Sequence, residues 1–489
     1  MEEYKFMWGQ KQSAMITEAM LSQLLLDINK NGRAIDSKIN DDLCILIDGV
    51  FEHYMKNDAI QQLEENGKKS LNIEFSRMIV RCVDKHIKAF FKFSDKIRTR
   101  DLTKLSNKEL KKIVIAYQEF FSKTFSYFQL STPAGTFWLT TKIKDILNKN
   151  LKNGELIDDY FISLSSPDKM DVTMSERLDF LKLIKDNRLS EKDFEGHARK
   201  YPALFFNTYD NLEVIEFLKN RAEEEHNKDY LKEKDRIETN LKEINEKQKK
   251  IYSELGNKEL KEYSKILQKN ALDRYRLKHI WSGAEYLCLN LLEELQRRLE
   301  ISFEDFIKCY LFEDIYKFLD RGIRLTPFQI AERKKCILAH YFNKKIHYHF
   351  GGNGLIQKNK LLKGQIGFVS TVAGESTIKG SVANKGLIQG IARIVNVKDL
   401  KQFVKDSALF KKGEILVTTM TSPVMVPIIE KANGIITDEG GITSHAAVIS
   451  REFKIPCIVG THGASSIIKT GDFIELDANL GIVKILNKK

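Results

Sequence analysis

The chain has 489 residues, 42% of them hydrophobic, and a formal net charge of +12; this is enough apolar material for roughly two to four domains, and it excludes a disordered or fibrous chain. No run of about 18 uninterrupted apolar residues is present to span a bilayer, no basic-then-apolar leader opens the sequence, and the six cysteines show neither CxxC pairs nor regular spacing. A soluble cytoplasmic protein with reduced thiols is expected, without a membrane role; nucleic acid is not expected as a partner either, because the basic residues are interleaved with acidic ones, as in "KNRAEEEHNKDYLKEKDRIETNLKEINEKQKK".

The first segments repeat apolar residues at steps of three and four. "AMITEAMLSQLLLDI", "EFSRMIVRCVDKHIKAFFKF" and, later, "AEYLCLNLLEELQRRL" all carry this mark of a helix with one buried face. A large all-helical region over residues 1–345, packed as a bundle, is the expectation. Within it the aromatic-rich "YQEFFSKTFSYFQLSTPAGTFW" reads as core, with the lining of an acceptor pocket as the alternative. His197 and Tyr201 in "GHARKYPALF" read as a packing pair. Residues 215–280 are charge-rich and interrupted by Gly256, which predicts a helical hairpin with a solvated face.

Glycine then marks a boundary. Residues 1–345 hold ten glycines and residues 346–489 hold seventeen, and the periodicity changes from helical to strand-like. Residues 346–377 read as a connection, with the Gly/Ser/Thr-rich "KGQIGFVSTVAGESTIKGSVANKG" as a mobile tether. His347 and His349 in "KIHYHF" would share a strand face, but no neighbouring Cys or carboxylate completes a ligand set, so no metal site is expected. Beyond, over 378–489, short strands such as "IQGIARIV", "EILVT", "GIITD", "CIVG" and "FIEL" alternate with the helical "MVPIIEKA" and "HAAVISREF". A compact β/α domain is expected there, so that the whole chain is of the α plus α/β class.

One histidine of the ten is conspicuously placed. In "DEGGITSHAAVISRE" two glycines permit a sharp turn after a strand, Thr443 or Ser444 can cap a helix, and His445 falls in its first turn. Unpaired backbone N–H groups and the helix dipole favour an anion at that end. An imidazole with an ordinary pKa of about 6.5 is largely neutral at pH 7 and has one nitrogen lone pair able to attack phosphorus.

The neighbourhood "ILVTTMTSPVMVPIIEKANGIITDEGGITSHAAVISREFKIPCIVGT" resembles the swivelling phosphohistidine domain of the phosphoenolpyruvate-utilising enzymes, the group that includes phosphoenolpyruvate synthase, pyruvate phosphate dikinase and rifampicin phosphotransferase. The resemblance implies that His445 is the phosphoryl acceptor and donor, with Gly440, Gly441, Thr443 and Ser444 around the phosphate and Thr421 in a supporting position. It also implies a swivel between two sites. The ATP-grasp domain that loads such a histidine and the barrel that receives its phosphoryl group are not recognisable in the sequence, which has no GxxxxGK[ST] loop. The expectation is therefore a phosphotransferase component that binds no cofactor itself, is loaded by a separate ATP-grasp protein holding Mg-ATP, and serves an unknown acceptor. The alternative is a regulatory or scaffold protein that keeps the fold without turnover.

Overall fold

In a computed structural model, residues 4–25, 39–151, 154–205, 207–362, 377–396, 400–442 and 444–488 are described. The chain divides into two compact units that interleave along the sequence: residues 1–135, 205–209 and 276–367 form one, and residues 136–204, 210–275 and 368–489 the other.

The first unit is not all-helical. It contains a five-stranded antiparallel sheet built from β1 (Tyr4–Lys11), β2 (Asp41–Ile47), β3 (Val50–Lys56), β4 (Ile337–Phe342) and β5 (Lys345–Phe350), in the order β1-β3-β2-β4-β5. Two tight turns create it. Asp48 and Gly49 join β2 to β3 with φ of 48° and 79°, and Asn343 and Lys344 join β4 to β5 with φ of 51° and 60°. Two successive positive φ values give the turn whose twist matches paired strands, and an Asp-Gly pair is its strongest sequence signal. Expecting helix throughout overlooked that signal. Leu43, Ile45, Tyr54, Cys336 and Leu338 fill one face of the sheet.

Helices complete the unit. Ile73–Thr99 buries Ile79, Val83, Ile87, Phe90 and Ile97, and Asn107–Gln129 buries Leu110, Val114, Tyr117, Phe121, Phe125 and Phe128. A capping box between Ser106 and Glu109 fixes the start of the second. The aromatic-rich stretch is thus core along this helix. Residues 346–362, expected to be connection, complete β5 and form the helix Gly351–Leu362. The remainder of that stretch, 363–376, lies outside the described residues, and Thr377 already starts a strand.

In the second unit an eight-stranded mixed sheet comprises β6 (Thr377–Lys379), β7 (Ser381–Asn384), β8 (Leu387–Ile394), β9 (Ile415–Thr418), β10 (Gly434–Thr437), β11 (Cys457–Val459), β12 (Phe473–Asp477) and β13 (Ile482–Asn487), in the order β6-β13-β12-β8-β9-β10-β11-β7. Its centre, β8-β9-β10-β11, is parallel. β9 and β10 are buried at every residue, which is why they read as unbroken apolar runs rather than alternating ones. Gly434 is needed for packing, since a Cβ there would sit 2.5 Å from Ile388 Cδ1.

Helices of the same unit include Val172–Lys185, Asn211–Glu225 and Tyr230–Leu255. The last ends at Gly256, left-handed with φ of 59°, before the helix Lys258–Trp281 begins. Among the described residues no helix is long and apolar enough to cross a membrane.

Candidate functional site

Three loops meet at the carboxyl ends of β9, β10 and β11, the edge of a parallel sheet where ligand sites are usually built. Asp438 holds them together. It is buried, and its carboxylate accepts from Ser465 N at 2.9 Å, Thr461 Oγ1 at 3.2 Å and the Ser465 hydroxyl, tying the loop after β10 to the segment after β11. Burial raises its pKa and these donors pull the other way. The loop after β9 joins through Asp438 N to Thr418 O at 3.1 Å and Glu439 N to Thr419 O at 2.9 Å. In the sequence Asp438 reads only as part of a turn, because its partners lie more than 20 residues away.

Gly440 is required on two counts. Its φ is +105°, and a Cβ would lie 2.8 Å from Ser444 Cβ. Gly441 contributes its carbonyl, which accepts from Ser444 N at 2.8 Å. Ser444 caps the helix His445–Glu452, its hydroxyl accepting from Ala447 N at 3.4 Å. Thr443 lies outside the described residues. Arg451, near the far end of the helix, donates to Ile442 O and to Ala383 O, both at 2.9 Å, and so fixes the loop against the helix it precedes.

His445 occupies the first turn of this helix and is buried, at 4% exposure. Its Nδ1 lies 2.7 Å from Thr421 Oγ1, in the loop after β9. Its Nε2 has no hydrogen-bond partner among the described residues. With an unpaired Nε2, the tautomer protonated at Nδ1 is preferred, because a buried orphan N–H costs more than an under-satisfied lone pair. Nδ1–H then donates to Thr421, and Nε2 is a bare nucleophile. Thr421, expected only to support the site, is the hydrogen-bond partner of that Nδ1.

Burial holds the His445 pKa down, to about 3. Since the folded value is depressed, stability is undiminished above the ordinary imidazole pKa and is lost as pH falls from there toward 3. The His445 ring resonances should therefore show no titration between pH 5 and 8 in nitrogen-correlated spectra; a midpoint near about 6.5 would show the ring standing in water.

What buries the ring is the helical part of the same unit. Tyr275 stacks on His445 at a centroid separation of 5.3 Å, tilted by 53°. Arg236 Nη2 pairs with Glu452 Oε1 at 3.0 Å, Asn240 Nδ2 donates to Glu452 O at 2.9 Å, and Arg177 Nη2 pairs with Glu430 Oε1 at 3.2 Å, with Lys228 on the same carboxylate. The charge-rich helix Tyr230–Leu255 is thus not merely a solvated face; its Arg236 and Asn240 bind the domain that carries His445.

His197 contacts Tyr201 ring to ring at 5.0 Å and donates from Nε2 to Glu176 Oε1 at 2.8 Å. Among the described residues one group has metal-ligand character, Asp42, Cys44 and His53 of the first unit, with ligating atoms within 4.8 Å of one another. His53 Nε2 and Asp42 Oδ1 are 2.6 Å apart, a buried carboxylate–imidazole pair.

Residues 410–481, which include Thr421, Gly440, Gly441, Ser444 and His445, match the family described as PEP-utilising enzyme, mobile domain. The chain is 47% identical over 109 residues to the probable phosphoenolpyruvate synthase of Pyrococcus horikoshii, covering 22% of this chain and 12% of the relative. It is 44% identical over 109 residues to the probable phosphoenolpyruvate synthase of Methanothermobacter thermautotrophicus, covering 22% and 15%. It is 36% identical over 114 residues to an uncharacterized phosphotransferase, YvkC, of Bacillus subtilis, covering 23% and 13%. The chain thus spans a small fraction of the length of the curated relatives it matches.

Proposed function

We propose that this chain is the phosphoryl-carrier component of a phosphotransferase system, with His445 as the carrier. The mobile-domain match and the phosphotransferase relatives support a carrier role. The observation that carries the assignment is the division of labour on one ring: Nδ1 bonded to Thr421 at 2.7 Å and Nε2 unpartnered.

In the proposed reaction the Nε2 lone pair attacks the γ-phosphorus of ATP in line. A P–N bond forms as the P–O bond to the departing ADP breaks, and Nδ1 keeps its proton, held by Thr421. The phosphorylated ring carries its charge at a helix N-terminus, with Gly440, Gly441, Thr443 and Ser444 around the phosphate. Return of the electron pair to Nε2 releases the phosphoryl group to an acceptor nucleophile, which loses its proton in the same step. A helix N-terminus alone does not clamp a triphosphate, so Mg-ATP is assigned to a separate ATP-grasp protein.

The test is the intact mass of the chain after incubation with stand-alone ATP-grasp proteins from the same organism and Mg-ATP. One added phosphoryl group, labile to acid and stable to base, is the expected result with the partner and not without it. Self-labelling from ATP by the purified chain would show that the nucleotide site lies in this chain. Absence of label with every such partner would leave the regulatory or scaffold reading.

A further inference from the structure

The hairpin of β2 and β3 places three ligand-type side chains on one face of the first unit's sheet, and the carrier chemistry uses none of them. Cys44 and His53 are direct cross-strand partners, so their side chains stand side by side on the same face. Asp42 lies two residues from Cys44 along β2 and shares that face. The Asp48-Gly49 turn fixes this register, so the three residues come together through local folding alone. Their ligating atoms, a carboxylate oxygen, the Cys44 sulfur and an imidazole nitrogen, all lie within 4.8 Å of one another.

All three residues are buried, at 3% exposure for Asp42, 0% for Cys44 and 3% for His53. Leu46, Phe51 and Met55 occupy the neighbouring positions of the same face and are buried too. A carboxylate and an imidazole in such apolar surroundings are costly unless something compensates them. Their own contact, His53 Nε2 donating to Asp42 Oδ1 at 2.6 Å, compensates in part. It makes no use of the Cys44 sulfur, although that atom is within ligand range of both.

A divalent ion uses all three. Zn²⁺ takes sulfur, imidazole nitrogen and carboxylate oxygen together, at about 2.3, 2.0–2.1 and 2.0–2.2 Å. At tetrahedral angles such bonds set the donor atoms roughly 3.3 to 3.6 Å apart, inside the span that these three atoms already cover. The ion takes the place of the proton that His53 shares with Asp42, and small rotations of those two side chains make room for it. Charge balances as well, because one thiolate and one carboxylate neutralise a doubly charged ion in the apolar interior. Sulfur and nitrogen donors disfavour Mg²⁺ and Ca²⁺, which prefer oxygen alone. We propose that Asp42, Cys44 and His53 are the protein ligands of a zinc ion, with the fourth tetrahedral position left to water. The site lies wholly in the first unit, so it stands or falls apart from the carrier role of His445.

X-ray absorption on the full wild-type chain, stripped with a chelator and reloaded with equimolar Zn²⁺, tests the ligand set without any substitution. The expected first shell has a single sulfur at about 2.3 Å and nitrogen or oxygen at about 2.0–2.2 Å. Loading with Co²⁺ instead should give a thiolate-to-cobalt charge-transfer band that saturates at equimolar metal. Cys44→Ala should abolish the band and weaken zinc binding by about a hundredfold or more, since a direct ligand is worth at least the roughly 10- to 100-fold of an outer-shell partner. Cys82→Ala, on the helix Ile73–Thr99 and outside the cluster, should change neither. No equimolar zinc binding by the wild-type chain, a first shell without sulfur, or a cobalt band that survives Cys44→Ala would overturn the proposal.

Discussion

His445→Ala abolishes phosphoryl labelling of the chain by an ATP-grasp partner, and Thr421→Val slows it. The first effect is total because the transferred group has no other attachment in the proposed reaction. The second is partial. Valine keeps the shape of threonine but cannot accept from Nδ1–H, so the ring loses the bond that holds it in the tautomer with a free Nε2. A lost hydrogen bond of about 1 kcal/mol corresponds to roughly a five- to tenfold slower rate. The alanine variant should remain folded, since alanine is well suited to a first helical turn and the cap from Ser444 is untouched. Rates come from quenched-flow labelling with acid-labile phosphate as the readout. Label that survives in His445→Ala removes this residue from the chemistry, and a Thr421→Val rate equal to the parent's shows that the threonine does not choose the nitrogen.

How much of this was legible in the sequence differs sharply between the two ends of the chain. The turn, cap and first-turn histidine are written within six residues, Gly440 to His445, and each is a local rule: positive φ for Gly440, a hydroxyl for Ser444. Such rules need no tertiary information. Thr421 and Asp438 are different, because what they do depends on loops 24 residues apart in one case and 27 in the other. The sheet of the first unit was legible in part. Asp48-Gly49 announces a hairpin, but β1, β4 and β5 are assembled from opposite ends of a unit that the second unit interrupts twice, and helical periodicity in between dominates any linear reading. The docking role of the helix Tyr230–Leu255 was not legible at all. A charged stripe that meets another domain has the same composition as one that meets water.

Glu430→Lys should make His445 reactive. In the parent chain the ring is covered by Tyr275, and the cover is held by the Arg177–Glu430 ion pair and by the hydrogen bonds of Arg236 and Asn240 to Glu452, between the helices and the domain that carries the histidine. Arg177 is almost wholly buried and pairs with Glu225 and Glu233 as well as with Glu430, whose carboxylate also binds Lys228. A lysine at 430 removes two attractions and sets a third cation beside two others. Breaking a largely buried pair costs on the order of 3 kcal/mol, enough to shift a docked equilibrium by about a hundredfold. Diethyl pyrocarbonate, which acylates a neutral and accessible imidazole, reads the result directly by peptide mass spectrometry. The exposed His462 of the same domain serves as internal reference. The His445 to His462 rate ratio should be near zero in the parent and rise at least tenfold in the variant, with His462 itself unchanged. Raising the pH acts in the same direction through another group. Burial pushes the Glu452 carboxyl up to about 8, with the charge of Asp171 adding to the rise and Arg236 opposing it. For an acid whose pKa is raised in the docked state, the contribution to docking is full below the ordinary carboxylate range and is lost as pH climbs through 8. The ratio in the parent should therefore increase between pH 7 and 9. A ratio that is already high in the parent, or that stays flat in Glu430→Lys, would mean that these contacts do not cover the histidine in solution.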